Sequence, residues 1–318
     1  MQKKTYTMLN TSLKHSLPVT LIAMGLLSGS GLYAAEGTFN NFLLRSPSIV
    51  SPSQNYQVTQ GRFEGYIGSV NGSVDPKAAN LDDIDTNGTE IGVAGHYAVS
   101  PMAVIGIDVD YENKKSGEEK SNTTEISPSV AFTLTPIFSL GLAAHLVSGT
   151  EDVPTGGDRD TSFNTFSIGA TMHQDLWEAT LAFNTESKDD NKPQNNSAQS
   201  FVLHGRYRVM PAMALGLSVF QRDTSSIAPS LVKAEDETGF GLHLESQFTD
   251  MLTGEFAFLS TTDVDGTSGD DQSEFVAMAQ YQVNPTMEIG GRLSYLTSSG
   301  DSADVTAIRP GIFLTSYF

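Results

Sequence analysis

Carboxylate, guanidinium and imidazole side chains occur here within stretches where polar and apolar residues alternate, and they are the candidates for chemistry. Those singled out fall on the polar positions of their stretch, so each points away from the apolar face. Charged groups of both signs that line a narrow aqueous passage focus the electric field and select ions and polar solutes. The acidic group comprises Glu90, Asp108, Asp110, Glu112 and Glu125, and the basic group comprises Arg206, Arg208, Arg222, Arg292 and Arg309, with His204 beside it.

Five of these side chains are expected near the middle of their strands, counted from the nearest tight turn: Asp108, His204, Arg206, Arg292 and Arg309. The chain is predicted to form a closed ring of fourteen strands, in which the eighth strand lies opposite the first. Arg206, Arg208 and Arg222 on the eighth and ninth strands therefore face the edge of the acidic group. We therefore predict a pore constriction with a transverse field, which aligns polar solutes while water fills the bore. The alternative is that these groups are solvated, or form salt bridges with one another, without a role in selectivity.

Metal binding and catalysis have weaker support in the sequence. Asp83, Asp85 and Asn87 begin a segment that reads D-x-D-x-N-G, like the first half of a calcium loop, but Ala94 stands where the bidentate Glu is required. A solvated acidic loop is the alternative interpretation. No Ser, His and acidic residue are brought together by spacing, so we predict neither an enzyme nor a cofactor.

The elements that position these side chains are predicted from alternation. After Pro101, for example, Ala103, Ile105, Ile107 and Val109 alternate with small or polar residues, as in a strand with one apolar face. Turn-like segments centred on Pro or Asp recur at intervals of 35–39 residues and indicate a repeated hairpin unit. The pattern predicts fourteen strands, or twelve if the first hairpin stays outside the wall, joined alternately by tight turns and long polar loops.

The alternation of short and long connections favours a closed antiparallel transmembrane β-barrel. Such barrels have an even number of strands, short turns at one end, long loops at the other, and apolar residues facing lipid. Every backbone polar group inside a bilayer must be hydrogen-bonded, so the sheet has to close on itself. A soluble sandwich or solenoid is the alternative, but its loops need not alternate in length.

The chain divides into three predicted segments. Residues 1–35 carry lysines, a short apolar run and small residues, which is typical of a cleaved signal peptide, with an uncleaved anchor as the alternative. Residues 36–61 show no alternation and are expected to lie in the periplasm or in the lumen. Residues 62–318 form the predicted transmembrane barrel.

The last strand carries a resemblance to known proteins. Gly311, Leu314 and Phe318 lie on a final amphipathic segment that ends in Phe, and this resembles the C-terminal assembly signature of Gram-negative outer-membrane barrels. Strand count and length are similar to those of monomeric fourteen-stranded porins. The resemblance implies the cell outer membrane as location, with membrane lipid, lipopolysaccharide and the barrel-assembly machinery as partners.

Composition completes the functional expectation. The chain has 318 residues, no cysteine, and 37 acidic against 18 basic side chains, for a net charge of −19, which argues against nucleic acid as a partner. We expect a porin that passes small hydrophilic solutes and ions through a water-filled channel and mildly favours cations. One alternative is a barrel like the long-chain fatty-acid transporters, plugged by residues 36–61, for hydrophobic solutes. Another is a structural or adhesive barrel that acts through its acidic loops.

Overall fold

A single closed sheet dominates the computed structural model, which describes residues 52–58, 60–77, 83–153, 157–189, 196–223, 236–264, 269–300 and 303–318. Fourteen antiparallel strands follow one another in sequence order around the ring, and the last pairs with the first. The predictions of an all-β fold, a closed barrel and fourteen strands are confirmed. The described residues contain no helix that is long and apolar enough to cross a membrane.

Most strands are longer than the sequence pattern indicates, and all fourteen span eleven to eighteen residues. Their bounds are β1 Gly61–Pro76, β2 Ile84–Ser100, β3 Ala103–Ser116, β4 Glu119–Thr135, β5 Phe138–Val153, β6 Gly157–Gln174, β7 Trp177–Asp189, β8 Asn196–Met210, β9 Met213–Asp223, β10 Glu237–Gln247, β11 Leu252–Thr262, β12 Asp271–Asn284, β13 Met287–Ser299 and β14 Ala303–Tyr317.

Alternation along each strand sorts the side chains between the two faces of the wall. On β9, Leu215, Leu217 and Val219 are exposed on the outside, whereas Ala214 and Ser218 are almost fully buried inside. The same alternation around the ring gives the outside a continuous apolar surface of Leu, Ile, Val and Phe side chains. Such a surface is unfavourable in water and favourable in hydrocarbon, which matches the predicted lipid face.

The two ends of the barrel differ. At one end, here called the tight-turn end, β2–β3, β4–β5, β6–β7, β8–β9 and β12–β13 are joined by two residues each, and β10–β11 by a slightly longer turn. The opposite end is here called the loop end. One loop predicted there is absent: β3 and β4 continue to a two-residue turn at Gly117, whose φ is +61°. The residues on both sides of this turn are polar, so the strand ends show no apolar alternation in the sequence. The backbone hydrogen-bond ladder between β3 and β4 nevertheless continues to the turn.

The barrel closes where the first and last strands meet at the tight-turn end. The Gly61 amide donates a hydrogen bond to the Phe318 carbonyl at 2.7 Å, and the Phe318 amide donates one back at 3.0 Å. A Cβ at residue 61 would overlap the Phe318 ring, so the glycine allows this aromatic side chain to lie across the seam. The predicted signal peptide, residues 1–35, and most of segment 36–61 lie outside the described residues.

Candidate functional site: the interior of the barrel

Residues 52–58, here called the inner segment, lie inside the bore at its tight-turn end. They begin with a 3₁₀ helix, Pro52–Gln57, which packs against the inner faces of β3 to β6. Ser53 and Gln54 are almost fully buried there. The inner segment therefore occupies space that an open pore would leave to water.

Three hydrogen bonds join the inner segment to the wall. The hydroxyls of Ser53 and Thr171 are 2.5 Å apart, and the Ser139 hydroxyl donates to the Ser53 carbonyl at 2.9 Å. The Gln54 amide donates to the Glu178 carboxylate at 2.7 Å. All the wall residues involved lie within a few positions of a tight turn, so the contacts hold the inner segment at this end of the bore.

Packing also fits the inner segment to the wall. Val58 is buried in a small apolar cluster with Val104 and Ala131. On β5, a Cβ at Gly141 would overlap the backbone of Pro52 and Ser53, so only glycine permits this close approach.

The basic group of the sequence analysis is largely neutralised by neighbouring carboxylates. Arg206 donates a hydrogen bond to Glu245 on β10, and its Nη1 lies 3.8 Å from Glu178 Oε1 on β7. Arg222 Nη1 donates to Glu237 at 2.9 Å. These partners lie one or two strands away along the same side of the wall. The structure thus brings Arg206 to Glu178 and Glu245, and the inner segment to the same Glu178.

Histidines extend this network on β8 to β11. His204 Nδ1 is 2.8 Å from the Ser218 hydroxyl, which in turn is 3.3 Å from His243 Nε2. The two imidazole rings meet edge to face with centroids 5.7 Å apart, and His243 Nδ1 lies 3.7 Å from Glu255 Oε1. These groups contact one another within the wall, although His204 Nε2 and Glu255 Oε1 are buried without a hydrogen bond, so this side of the interior is polar and closely packed.

The acidic group lies on the opposite side, and three of its members have partners. Glu90 accepts a hydrogen bond from the Tyr66 hydroxyl at 2.8 Å, and its Oε1 lies 3.5 Å from Arg309 Nη1. Glu125 Oε1 is 3.0 Å from His145 Nδ1 and accepts from Ser127 at 2.8 Å. Asp108 Oδ1 is 3.7 Å from His96 Nε2.

A cavity of about 60 Å³ lies beside the acidic group, between the inner faces of β1–β4 and β12–β14. This volume holds several water molecules or one small molecule. Its wall combines carboxylates, a guanidinium and apolar side chains: Glu64, Tyr66, Glu90, Asp108, Asp110, Glu112, Glu125, Met278, Arg292 and Phe313, together with residues 91–94, 111 and 123. We call it the central cavity.

Glycines create the space for the central cavity. The strand register places Phe313 beside Tyr66, Tyr66 beside Gly92, and Gly92 beside Asp110. A Cβ at Gly92 would overlap the Asp110 carboxylate and approach the Tyr66 ring to 3.7 Å. Because Gly92 has no side chain, open space remains between the aromatic ring of Tyr66 and the carboxylate of Asp110.

The remaining predicted residues take other positions. Arg208 lies on β8 near the tight-turn end, and Leu314 faces outward on β14. The D-x-D-x-N-G segment begins at Asp83 and continues through Asp85 and Asn87 along β2, where it is extended strand rather than loop. Nowhere in the described ranges do three His, Asp or Glu residues come together in a way that could hold a metal ion.

Sequence reasoning missed the acidic partners of the arginines: Glu178, Glu237 and Glu245 lie on inward positions of their strands, and this parity was a readable signal. The hypothesis of a constriction with a transverse field remains a prediction. The pairing of Arg206, Arg222 and Arg309 with nearby carboxylates matches the stated alternative of mutual salt bridges.

The fold is similar to solved hydrocarbon channels. The monoaromatic hydrocarbon channel CymD has a TM-score of 0.62 at 10% identity, over 93% of this chain and 97% of that chain. The P. putida toluene transporter TodX gives 0.62 at 9% identity, over 93% and 98%. A Pseudomonas aeruginosa FadL homologue gives 0.60 at 11% identity, over 83% and 91%. No protein-family model and no curated protein sequence matches the chain.

These comparisons correct the functional expectation. The prediction of a porin for small hydrophilic solutes is wrong, because the similar structures CymD and TodX are a monoaromatic hydrocarbon channel and a toluene transporter. In addition, the inner segment lies within the bore that the porin prediction assigned to water, and inward side chains such as Arg206 and Arg222 are almost fully buried. The alternative of a plugged barrel is favoured instead, and the similar structures are transport channels rather than enzymes. In architecture, the chain is a closed fourteen-stranded antiparallel β-barrel that resembles solved outer-membrane hydrocarbon channels.

Proposed function

We propose that the protein is a channel of the Gram-negative outer membrane that passes small hydrophobic molecules. The observation that carries the proposal is the inner segment, which is held inside the bore at the tight-turn end by Ser53, Gln54 and Val58. We infer that the inner segment obstructs the bore and that the barrel does not act as an open aqueous pore. In the central cavity, Tyr66, Met278 and Phe313 provide an apolar surface on which a hydrophobic molecule can pack.

The proposed orientation follows from the two ends. The tight-turn end faces the periplasm and the loop end faces outward, as in other outer-membrane barrels. Outer-membrane lipid contacts the apolar outer surface, and lipopolysaccharide surrounds the acidic loop end. We further propose that the barrel-assembly machinery recognises β14, with Leu314 exposed to lipid, Gly311 beneath the Tyr66 ring and Phe318 at the seam.

Uptake of labelled toluene tests the proposal. Toluene crosses a plain phospholipid bilayer unaided, so the assay uses Gram-negative cells, in which lipopolysaccharide slows its entry. Cells that produce the full chain are expected to take up toluene several-fold faster than cells carrying an empty vector. In reconstituted phospholipid liposomes, the intact protein is expected to cause no swelling with sugars. Toluene uptake equal to the empty vector, or sugar swelling at the rate of an open porin, would overturn the proposal.

A further inference from the structure

Two pairs of like charges face each other in the wall of the central cavity. The register places Glu90 directly opposite Glu112 on β2 and β3, and Asp110 directly opposite Glu125 on β3 and β4. Like charges in directly opposed positions of a sheet destabilise it. Positive charge close to these four neighbouring carboxylates would therefore stabilise this part of the sheet.

The compensation that the chain itself provides is incomplete. Glu90 has Arg309 and Glu125 has His145, but Asp110 and Glu112 have neither a hydrogen bond nor an ion pair among the residues that the structure describes. Lys114 and Arg309 act on Glu112 only by electrostatic attraction beyond ion-pair distance. Glu112 is only 8% exposed and lines the central cavity. A carboxylate buried to this degree without a partner in direct contact is costly, and a cation in the cavity would relieve that cost.

The facing side of the cavity defines what kind of cation fits. Tyr66, Met278 and Phe313 form an apolar surface across from Asp110 and Glu112, and aromatic faces attract cations as well as hydrocarbon. Arg292 is the base in the cavity wall, and the register places it beside Met278 and Gly311, away from β3. The guanidinium repels positive charge at that side, so a bound ammonium group is directed toward β3.

Inorganic cations fit the arrangement less well. Within the described parts of the chain, the carboxylates do not converge into a group of three that could hold a metal ion. An organic ammonium needs no such convergence, because its N–H groups donate to oxygens several ångströms apart while its carbon atoms contact the apolar side. The cavity is small, but it is not fully enclosed, so only the head and the first part of a ligand need lie within it.

We propose that the central cavity is a binding site for small protonated amines with an apolar body, such as an arylalkylamine. The ammonium group lies between Asp110 and Glu112, and the apolar body packs on Tyr66, Met278 and Phe313. This inference rests on the proposed function, since it specifies one class of hydrophobic molecule for the same channel.

Binding to the full chain in phospholipid nanodiscs provides the first test, with empty nanodiscs subtracted. The probes are benzylamine, benzyl alcohol and benzoate, which share a ring and differ in charge. Benzylamine is expected to bind at least about tenfold more tightly than either of the others, the order expected for hydrogen bonds to a charged group. Equal affinity for benzylamine and benzyl alcohol, or tighter binding of benzoate, would overturn the proposal without any variant.

Three variants locate the site. Asp110→Asn and Glu112→Gln are each expected to weaken benzylamine binding about tenfold and to leave benzyl alcohol binding within twofold. Glu274→Gln is the matched control, because Glu274 is also an inward carboxylate, 3% exposed, with an oxygen that has no hydrogen bond, yet it lies outside the cavity wall. Equal losses in Glu274→Gln would show general electrostatic attraction instead of a site and would overturn the proposal.

The toluene uptake assay separates this inference from the proposed function. Toluene uptake by the wild-type protein combined with no preference for benzylamine overturns the amine site alone. Preferential benzylamine binding that is lost in Glu112→Gln, combined with no toluene uptake, supports the amine site and overturns the proposed passage of hydrocarbons.

Discussion

Gly141→Ala is expected to release the inner segment and open the barrel. The new methyl group would overlap the backbone of Pro52 and Ser53, which cannot rotate away as a flexible side chain would. Overpacking of this kind costs about 1–3 kcal/mol, and each 1.4 kcal/mol changes an equilibrium about tenfold. The undocked population should therefore rise by roughly 5- to 140-fold.

Single-channel recording in planar bilayers measures this change directly. The wild-type protein is expected to show rare open events, and Gly141→Ala more frequent ones together with liposome swelling by small sugars. Gly241→Ala is the matched control, because Gly241 is also an inward strand glycine, but the nearest atom to its added Cβ is 3.4 Å away, an ordinary contact. Equal event frequencies in wild type and Gly141→Ala would refute the idea that the inner segment closes the bore, as would equal opening in the control.

Two further substitutions test how the wall is stabilised. Arg206→Met leaves the buried Glu178 and Glu245 without their arginine, so we expect the free energy of unfolding to fall by about 3–5 kcal/mol. Urea unfolding in micelles measures this change, and an unchanged midpoint would contradict the ion-pair assignment. Leu217→Lys puts a charge on the outer surface of β9 and should cost about 2–4 kcal/mol in bilayers. Gln221→Lys, on the same face nearer the loop end, is the control and should cost little, and equal losses would place the lipid boundary elsewhere.

Sequence alone predicted the wall of the barrel well because the bilayer imposes a strict rule. Every outward residue at membrane depth must be apolar, so residues such as Ile105 and Ile107 on β3 mark both the strand and its face. Beyond the bilayer this rule ends. The residues around Gly117 are polar on both faces and read as a loop, although their backbone ladder continues to a two-residue turn. Strand ends outside the membrane are therefore invisible to the alternation pattern.

The interior was harder to predict because parity gives the face of a residue but not its neighbours. Arg206 was expected to look across the bore toward the acidic group. Instead, its guanidinium reaches Glu178 on the preceding strand and Glu245 two strands further on. Long side chains on an inward face find partners along the wall before they reach across it. A search for acids at inward positions one or two strands away would have found these pairs.

The acidic side of the interior shows what remains when such pairing is incomplete. Arg206 on β8 and Arg222 on β9 have carboxylates within reach one or two strands away, so their charges are neutralised locally. On β2 to β4 the sequence instead places acid opposite acid, and the glycine at position 92 keeps Tyr66 and Asp110 apart. A side chain at position 92 would fill this space and would leave Asp110 and Glu112 without a partner in direct contact. The same carboxylates that destabilise the barrel when the cavity holds no cation would stabilise a bound ammonium group, and this distinguishes the proposed binding site from an acidic surface without a cavity.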